Sequence, residues 1–292
     1  MSAPATEGAA VVVVNHNTRD DLLSCLASLR DAGAEQVVVV DSGSTDGSVE
    51  SATAAFPDAE VVTKDNVGFG RAANAGVRLT RAGTVVLANA DTRFPPGSVA
   101  AMGEYLREHP DVGALGPVVR YPDGRLQMSA RAFPSLGQAL GHAAFGLVWP
   151  SNPWTRAYRL TDWDHSSERE VDWVSGCCLA VRREAFDDVG GFDPAYFMFV
   201  EDVDLCYRLG EAGWKVMFAP VTEVTHAIGG AVSRRRFRMT FEHARSLDRF
   251  FARRYATGPR RLLRPLIRLG LAGWLVIALT WSALRGRTLA QG

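Results

Sequence analysis

Two runs of four valines, at 11–14 and 37–40, constrain this chain more than any other feature. A β-branched run without polar alternation is a strand buried on both faces, the signature of a parallel strand covered by helices. Between the runs, Leu22, Leu23, Leu26 and Leu29 recur at helical spacing over 20–31. The unit is β-α-β. The same alternation predicts a helix near 47–55, a strand at 60–63, a helix at 70–81, a strand at 84–88, a turn at Pro95-Pro96-Gly97 and a helix at 98–108. The fold class is α/β, a doubly wound and mostly parallel sheet. Such sheets bind ligands beyond the carboxyl ends of their strands, so the polar residues that follow each strand are the candidates.

The chain has 292 residues, 47% of them apolar and 22% charged, which is ordinary globular composition and excludes a disordered, collagenous or polytopic membrane protein. Its zero net charge hides an asymmetry. Residues 1–231 carry 18 Lys and Arg against 30 Asp and Glu, whereas 232–292 carry 14 Arg against Glu242 and Asp248. An acidic body with a basic tail argues against whole-protein nucleic-acid binding and predicts a tail that meets an anionic membrane surface. Cys25, Cys177, Cys178 and Cys206 form no C-x-x-C pair, which disfavours a disulfide framework or zinc knuckle and fits a reducing cytosol. The N-terminus has neither a basic region nor a long apolar stretch, so no secretory signal is expected.

Residues 121–170 hold Pro122, Pro134, Pro150 and Pro153 with Trp149, Trp154 and Trp163, and little periodicity. They predict a long functional excursion from a domain spanning 1–231. Beyond it, 232–292 reads as an Arg-rich helical tail. Within the tail, Leu269–Leu284 is sixteen residues without a charge, bounded by Arg268 and Arg285. That is short of the roughly 20 residues that span a bilayer, and suits a helix lying in the interface on the inner face of the plasma membrane. The bland alternative is a helix packed on the domain, or on a second copy as a homodimer.

The strand ends carry the chemistry. The first runs into Asn15-His16-Asn17-Thr18 and the second into Asp41-Ser42-Gly43-Ser44. An Asp after a buried strand suits a base or ribose, and equally makes a turn. The third runs into Asn66-Val67-Gly68-Phe69-Gly70-Arg71-Ala72-Ala73-Asn74, which contains G-x-G-x-x-A. A dinucleotide fingerprint belongs after the first strand, where this chain has no glycine, so an oxidoreductase is disfavoured. The fourth runs into Asn89-Ala90-Asp91, a candidate for a hard divalent cation or for a cap. Later come Trp173, the aromatics Tyr196, Phe197 and Phe199, then Glu201-Asp202-x-Asp204, and Thr225-His226 before Gly229-Gly230. Three carboxylates in four residues repel one another unless a cation or raised pKa values relieve them.

Taken together, VVVVNHNTRDDLLSCLASL, DSGSTDGS, NVGFGRAANAG, LANADT, VSGCCLAVRREAFDDVGGFDPAYFMFVEDVDLCYRLGEAGW and VTHAIGG resemble glycosyltransferase family 2, especially its bacterial rhamnosyltransferase-like members. The blocks cover about 11–231 in the family's order. The resemblance implies a GT-A fold and an inverting transfer from a dTDP- or UDP-sugar, with rhamnose the first choice. The acceptor would be a hydroxyl of a lipid-linked glycan in cell-envelope polysaccharide synthesis. It also implies Asp202 as catalytic base, and Asp91 and His226 as contacts to Mn²⁺ or Mg²⁺. Asn15, Asp41, Asn66, Arg71, Asn74 and Asn89 would surround the nucleotide. Asn89 replaces the first acid of the family's D-x-D motif. Glu201, Asp204 and Trp173 are left as acceptor or sugar contacts, or as helix-start and core residues. A sugar-nucleotide pyrophosphorylase would need a glycine-rich loop after the first strand, and a non-catalytic sugar-nucleotide binder would lack the base.

Overall fold

The chain begins with β1 (Thr6–Asn15), α1 (Arg19–Leu29), β2 (Gln36–Asp41), α2 (Ser48–Ala55), β3 (Glu60–Thr63), α3 (Phe69–Val77) and β4 (Ala82–Asn89). The two valine runs lie side by side, with Val11 paired in parallel to Val37 and Asn15 to Asp41. Successive side chains of β1 enter opposite layers. Val11 and Val13 pack with Leu22 and Leu26 of α1, and Val12 packs with Ala73 and Val77 of α3. That is why the run shows no alternation of polarity. The computed structural model describes residues 6–133, 135, 149, 152–227 and 236–285.

Next come β5 (Thr92–Arg93), α4 (Ser98–Glu108) and β6 (Val112–Arg120). The excursion follows, with β7 (Ala130–Arg131), α5 (Pro153–Arg159), β8 (Arg169–Glu170) and β9 (Trp173–Val174). Part of it, including Pro134 and Pro150, lies outside the described residues. Then β10 (Cys178–Arg182), α6 (Arg183–Asp188), α7 (Glu201–Glu211) and β11 (Lys215–His226) complete the domain. The sheet order is β3-β2-β1-β4-β10-β6-β11-β5. Strands β3, β2, β1 and β4 are parallel, as are β6 and β11, whereas β10 runs antiparallel between β4 and β6. This reversal was not visible in the hydrophobic pattern, because CLAVR is buried on both faces just as a parallel strand would be.

Helix α3 stops at Val77 rather than running to 81. The Thr80 hydroxyl takes the Val77 carbonyl at 2.9 Å, and β4 already begins at Ala82. The G-x-G in front of α3 serves packing. Gly68 has φ of 94°, and a Cβ there would sit 2.0 Å from the Phe197 carbonyl oxygen. Gly70 faces Phe192 in the same way, at 2.9 Å. The glycines let the 192–197 segment close over the helix start, which accounts for the dinucleotide lookalike.

The tail does not begin where the core ends. In α8 (Arg236–Arg254), Phe250 and Phe251 are buried in the same layer as Phe192 and Leu205, and Tyr255 joins them. Arg253 reaches Asp193 at 2.5 Å and Asp204 at 3.0 Å, and Arg249 reaches Asp193 at 3.0 Å. Two of the arginines expected to meet an external anion therefore neutralise acids of the domain, the half-buried Asp193 and the buried Asp204. A short 3₁₀ turn (Pro259–Leu263) leads to α9 (Arg264–Arg285). Ile267, Leu271 and Ala278 face inward, while Leu266, Leu269, Val276 and Ile277 stand exposed on the opposite side. The apolar stretch Pro259–Thr280, 22 residues, is long enough to cross a membrane, longer than the uncharged run suggested.

Candidate active site

Pairing register brings Asn15, Asp41 and Asn89 to the carboxyl end of adjacent parallel strands, with Val14 opposite Asn89. The far half of the sheet delivers His226 to the same end, where it faces Thr92 next to Asp91. The loop at 175–177 closes the gap between this edge and α7. The Cys177 carbonyl accepts from the Asn89 amide at 3.2 Å and from the Thr92 hydroxyl at 2.9 Å. The neighbouring Gly176 amide donates to Asp202 Oδ2 at 2.9 Å. Asp91, His226 and Asp202, far apart in sequence, are thus gathered around one short stretch of backbone.

His226 is buried and held from both sides. Its Nδ1 lies 3.1 Å from Gln127 Oε1, and its Nε2 lies 3.1 Å from Asp91 Oδ1 and 3.2 Å from Asn89 Nδ2. Gln127 Oε1 can only accept, so it fixes the proton on Nδ1 and leaves the Nε2 lone pair turned toward the Asp91 carboxylate. An imidazole nitrogen and a carboxylate oxygen side by side, with the Asn89 amide nitrogen as their nearest donor, are a pair of ligands that a divalent cation takes. The residues therefore fit a divalent ion. Among the described residues no group of three or more His, Cys, Asp or Glu forms a closed cage, so the remaining positions would fall to diphosphate and water. Sequence reasoning missed Gln127, which sits in the aperiodic excursion and carries no local signal.

Asp202 opens α7. The amide of Gly176 and its own neighbour Val203 (2.8 Å) each donate to one carboxylate oxygen. Burial raises its pKa, and the two amides and the Arg131 charge partly offset that. Beside it, Glu201 is 7% exposed and its Oε2 has no hydrogen-bond partner. Burial and the Asp202 charge push the Glu201 carboxyl up to about 8. Of the two neighbouring carboxyls, Glu201 has no donor and is the one that holds a proton, whereas Asp202 has the amide donors that favour its charged form.

The remaining predicted residues divide. Asn15 and Asp41 are on the rim by backbone, but their side chains form a closed ring. Asp41 Oδ2 accepts from Asn15 Nδ2 at 2.7 Å and from the Ser44 hydroxyl at 2.6 Å, and Oδ1 accepts from the Ser44 amide at 2.8 Å. The ring ties the loops after β1 and β2 into one wall. Asn66 is exposed, opposite Gly43. Arg71 donates to the Pro194 carbonyl at 2.5 Å. Asn74 spends both ends of its amide on the Phe192 backbone, at 2.8 and 2.9 Å, which makes it a clamp on the 192 segment rather than a ligand contact. Two alternatives resolve against a sugar contact. Trp173 is 6% exposed and donates to the Ala132 carbonyl at 3.0 Å, so it belongs to the core. Asp204 is wholly buried, bound by Tyr196 (3.1 Å), Arg208 (2.8 Å) and Arg253 (3.0 Å), and anchors α8.

An open α/β sheet with a carboxylate-imidazole pair at its strand ends, and a half-buried Asp across a backbone bridge, fits the sugar-nucleotide-dependent transferase of the GT-A type that the sequence motifs resemble. The comparisons give the family. Residues 10–190 match Glycosyl transferase family 2, and the chain belongs to that family. It is 41% identical over 276 residues, 90% of both chains, to the N-acetylglucosaminyl-diphospho-decaprenol L-rhamnosyltransferase of Mycobacterium tuberculosis. It is 33% identical over 127 residues to the rhamnosyltransferase WbbL of Escherichia coli, covering 43% of this chain and 45% of that one. Among solved structures, the mannosyltransferase PcManGT of Pyrobaculum calidifontis with GDP-Man and Mn²⁺ superposes with a TM-score of 0.57 at 19% identity, covering 97% of this chain and 77% of that one. GalNAc-T7 with UDP, GalNAc and Mn²⁺ gives 0.57 at 15% identity, over 94% and 57%. The chain is a glycosyltransferase of the rhamnosyltransferase-like kind, with the GT-A fold expected from sequence.

Proposed function

We propose that this glycosyltransferase moves rhamnose, from a dTDP-linked donor in preference to a UDP-hexose, onto a hydroxyl of a polyprenyl-diphosphate-linked sugar at the cytoplasmic face of the membrane. The observation that carries the mechanism is the setting of Asp202. It is the one acid of its cluster that is both oriented by backbone donors and placed across the Gly176–Cys177 bridge from Asp91 and His226.

The acceptor hydroxyl binds against Asp202, whose partial desolvation lifts its basicity toward the working pH. Asp202 accepts the proton as the oxygen attacks the anomeric carbon, so the sugar is transferred with inversion and the nucleoside diphosphate departs from the opposite face. Asp91 and His226 would hold the divalent ion, with Gln127 orienting the imidazole. When bound, that ion supplies positive charge for the leaving diphosphate. The wall built by Asn15, Asp41 and Ser44 bounds the nucleoside side, with Asn66 exposed at its edge. The 41% relative's diphospho-decaprenol acceptor and the uncovered apolar face of α9 support a lipid-linked acceptor and membrane attachment through the tail.

Asp202→Asn is the test. It keeps the shape and removes the base, so transfer should drop by about 10²–10⁴-fold while nucleotide binding, measured by calorimetry, stays within about twofold. Normal turnover in that variant overturns the assignment.

A further inference from the structure

Three arginines of the excursion and α8, one of them near enough for its charge to act on Asp202, make no ion pair among the described residues. Arg131 on β7 is paired in register with Trp173, its guanidinium 5.3 Å from the Trp173 ring and 5.7 Å from the Tyr158 ring. Arg159 ends α5, and the Tyr158 carbonyl before it accepts from the Ala132 amide at 3.1 Å, which pins the helix end to the Arg131 strand. Arg254 ends α8, with its guanidinium 4.9 Å over Phe133, two residues beyond Arg131, and 5.6 Å over Tyr207. Arg159 Nε and Arg254 Nη1 are buried without any hydrogen-bond partner. Neighbouring arginines do find carboxylates, as Arg156 does with Asp162 and Arg253 with Asp193. Among the described residues these three make no ion pair, and the segments outside them contain no Asp or Glu.

Arg131 spends its Nε on the Met128 carbonyl at 2.8 Å and keeps its two terminal nitrogens. Guanidiniums with N–H groups left over are built for phosphate, because the planar fork meets two oxygens at once. Burying an unpaired cation is unfavourable unless a ligand anion compensates it. Burial and the Arg131 charge both depress the Arg159 pKa, so an anion bound beside the two arginines would be favoured. The three sit on the excursion and α8, not on β1–β4 where the nucleotide wall stands. Arg131 is close enough for its charge to act on Asp202. From Arg254 the chain turns directly into α9 and its exposed Leu266 and Leu269.

We propose that Arg131, Arg159 and Arg254 form the subsite for the diphosphate of the lipid-linked acceptor. It places the acceptor sugar between them and Asp202, with the lipid chain leaving along α9. The proposal rests on the acceptor class given above.

Farnesyl diphosphate is the probe, with farnesyl monophosphate, dTDP and UDP as controls, each titrated against the full chain by calorimetry in detergent. Wild type should prefer the farnesyl diphosphate to the monophosphate. Arg159→Gln removes a side chain with no internal partner, so it should leave the fold and the dTDP and UDP affinities unchanged. It should weaken farnesyl diphosphate about tenfold or more and raise the acceptor KM to match. Arg131→Lys keeps the charge but not the fork, and should show a smaller loss. Unchanged farnesyl diphosphate binding in both variants overturns the subsite, and so does weakened nucleotide binding, which would assign the arginines to the donor. A wild type that binds farnesyl diphosphate through Arg159, yet glycosylates no lipid-diphosphate acceptor, supports the subsite and refutes the proposed function instead.

Discussion

Replacing Glu201 by Gln isolates what the dry carboxyl pair costs the fold. Glu201 is 7% exposed, its Oε2 is unpartnered, and its carboxyl is pushed up to about 8 by burial and by Asp202. In the unfolded chain it titrates near 4.5. Between these values the unfolded chain has released the proton and the native protein still holds it. The native state then binds more protons, so stability is full below about pH 4.5 and is lost as pH rises through about 8. At 1.36 kcal/mol per unit, the loss between pH 5 and pH 8 is about 3 kcal/mol. Gln cannot ionise in either state and mimics the protonated acid in size. Urea denaturation of both proteins at pH 5 and pH 8 should therefore show the variant gaining about 3 kcal/mol on wild type across that interval, whatever the offset at pH 5. Parallel pH profiles would refute the claim that Glu201 is buried and proton-bearing.

Two further outcomes test the rest of the site. Gln127→Leu leaves Asp91 and His226 in place but frees the imidazole tautomer, and should weaken Mn²⁺ about 10–100-fold in an electron paramagnetic resonance titration made without substrate. Unchanged Mn²⁺ affinity would mean that Gln127 does not orient His226. Paired substitution of the exposed Leu266 and Leu269 by Asp should abolish pelleting with anionic vesicles while the thermal midpoint and dTDP affinity persist, since neither side chain faces the core.

The proposed base and the proposed metal contacts come from different elements. Asp91 lies two residues past β4 and His226 closes β11, whereas Asp202 belongs to a helix start. What joins them is the antiparallel strand β10, whose preceding loop delivers the Gly176 amide and the Cys177 carbonyl between the two groups. The acids of the Glu201-Asp202-x-Asp204 cluster likewise take three different fates. One is neutralised by a proton, one is oriented by amides, and one is locked into Arg208 and Arg253. Helical geometry alone separates Asp204 from the cleft, because it turns inward to Tyr196 and α8.

The valine runs, the helical leucine spacing and the order of polar strand ends were enough to determine the layered α/β architecture, and the ordered motif blocks were enough to point to the family and to single out Asp91, Asp202 and His226 as candidates. These are properties of near neighbours, and periodicity records which faces must be buried. The tertiary structure alone decided that Asn74 and Trp173 serve packing, that Asp204 anchors the tail, that Gln127 meets the imidazole and that Arg131 and Arg159 lie close enough for their charges to interact. Each of those roles depends on a partner tens of residues away, and a side chain's chemistry is fixed by whether that partner satisfies its hydrogen bonds and charge, which no local pattern encodes.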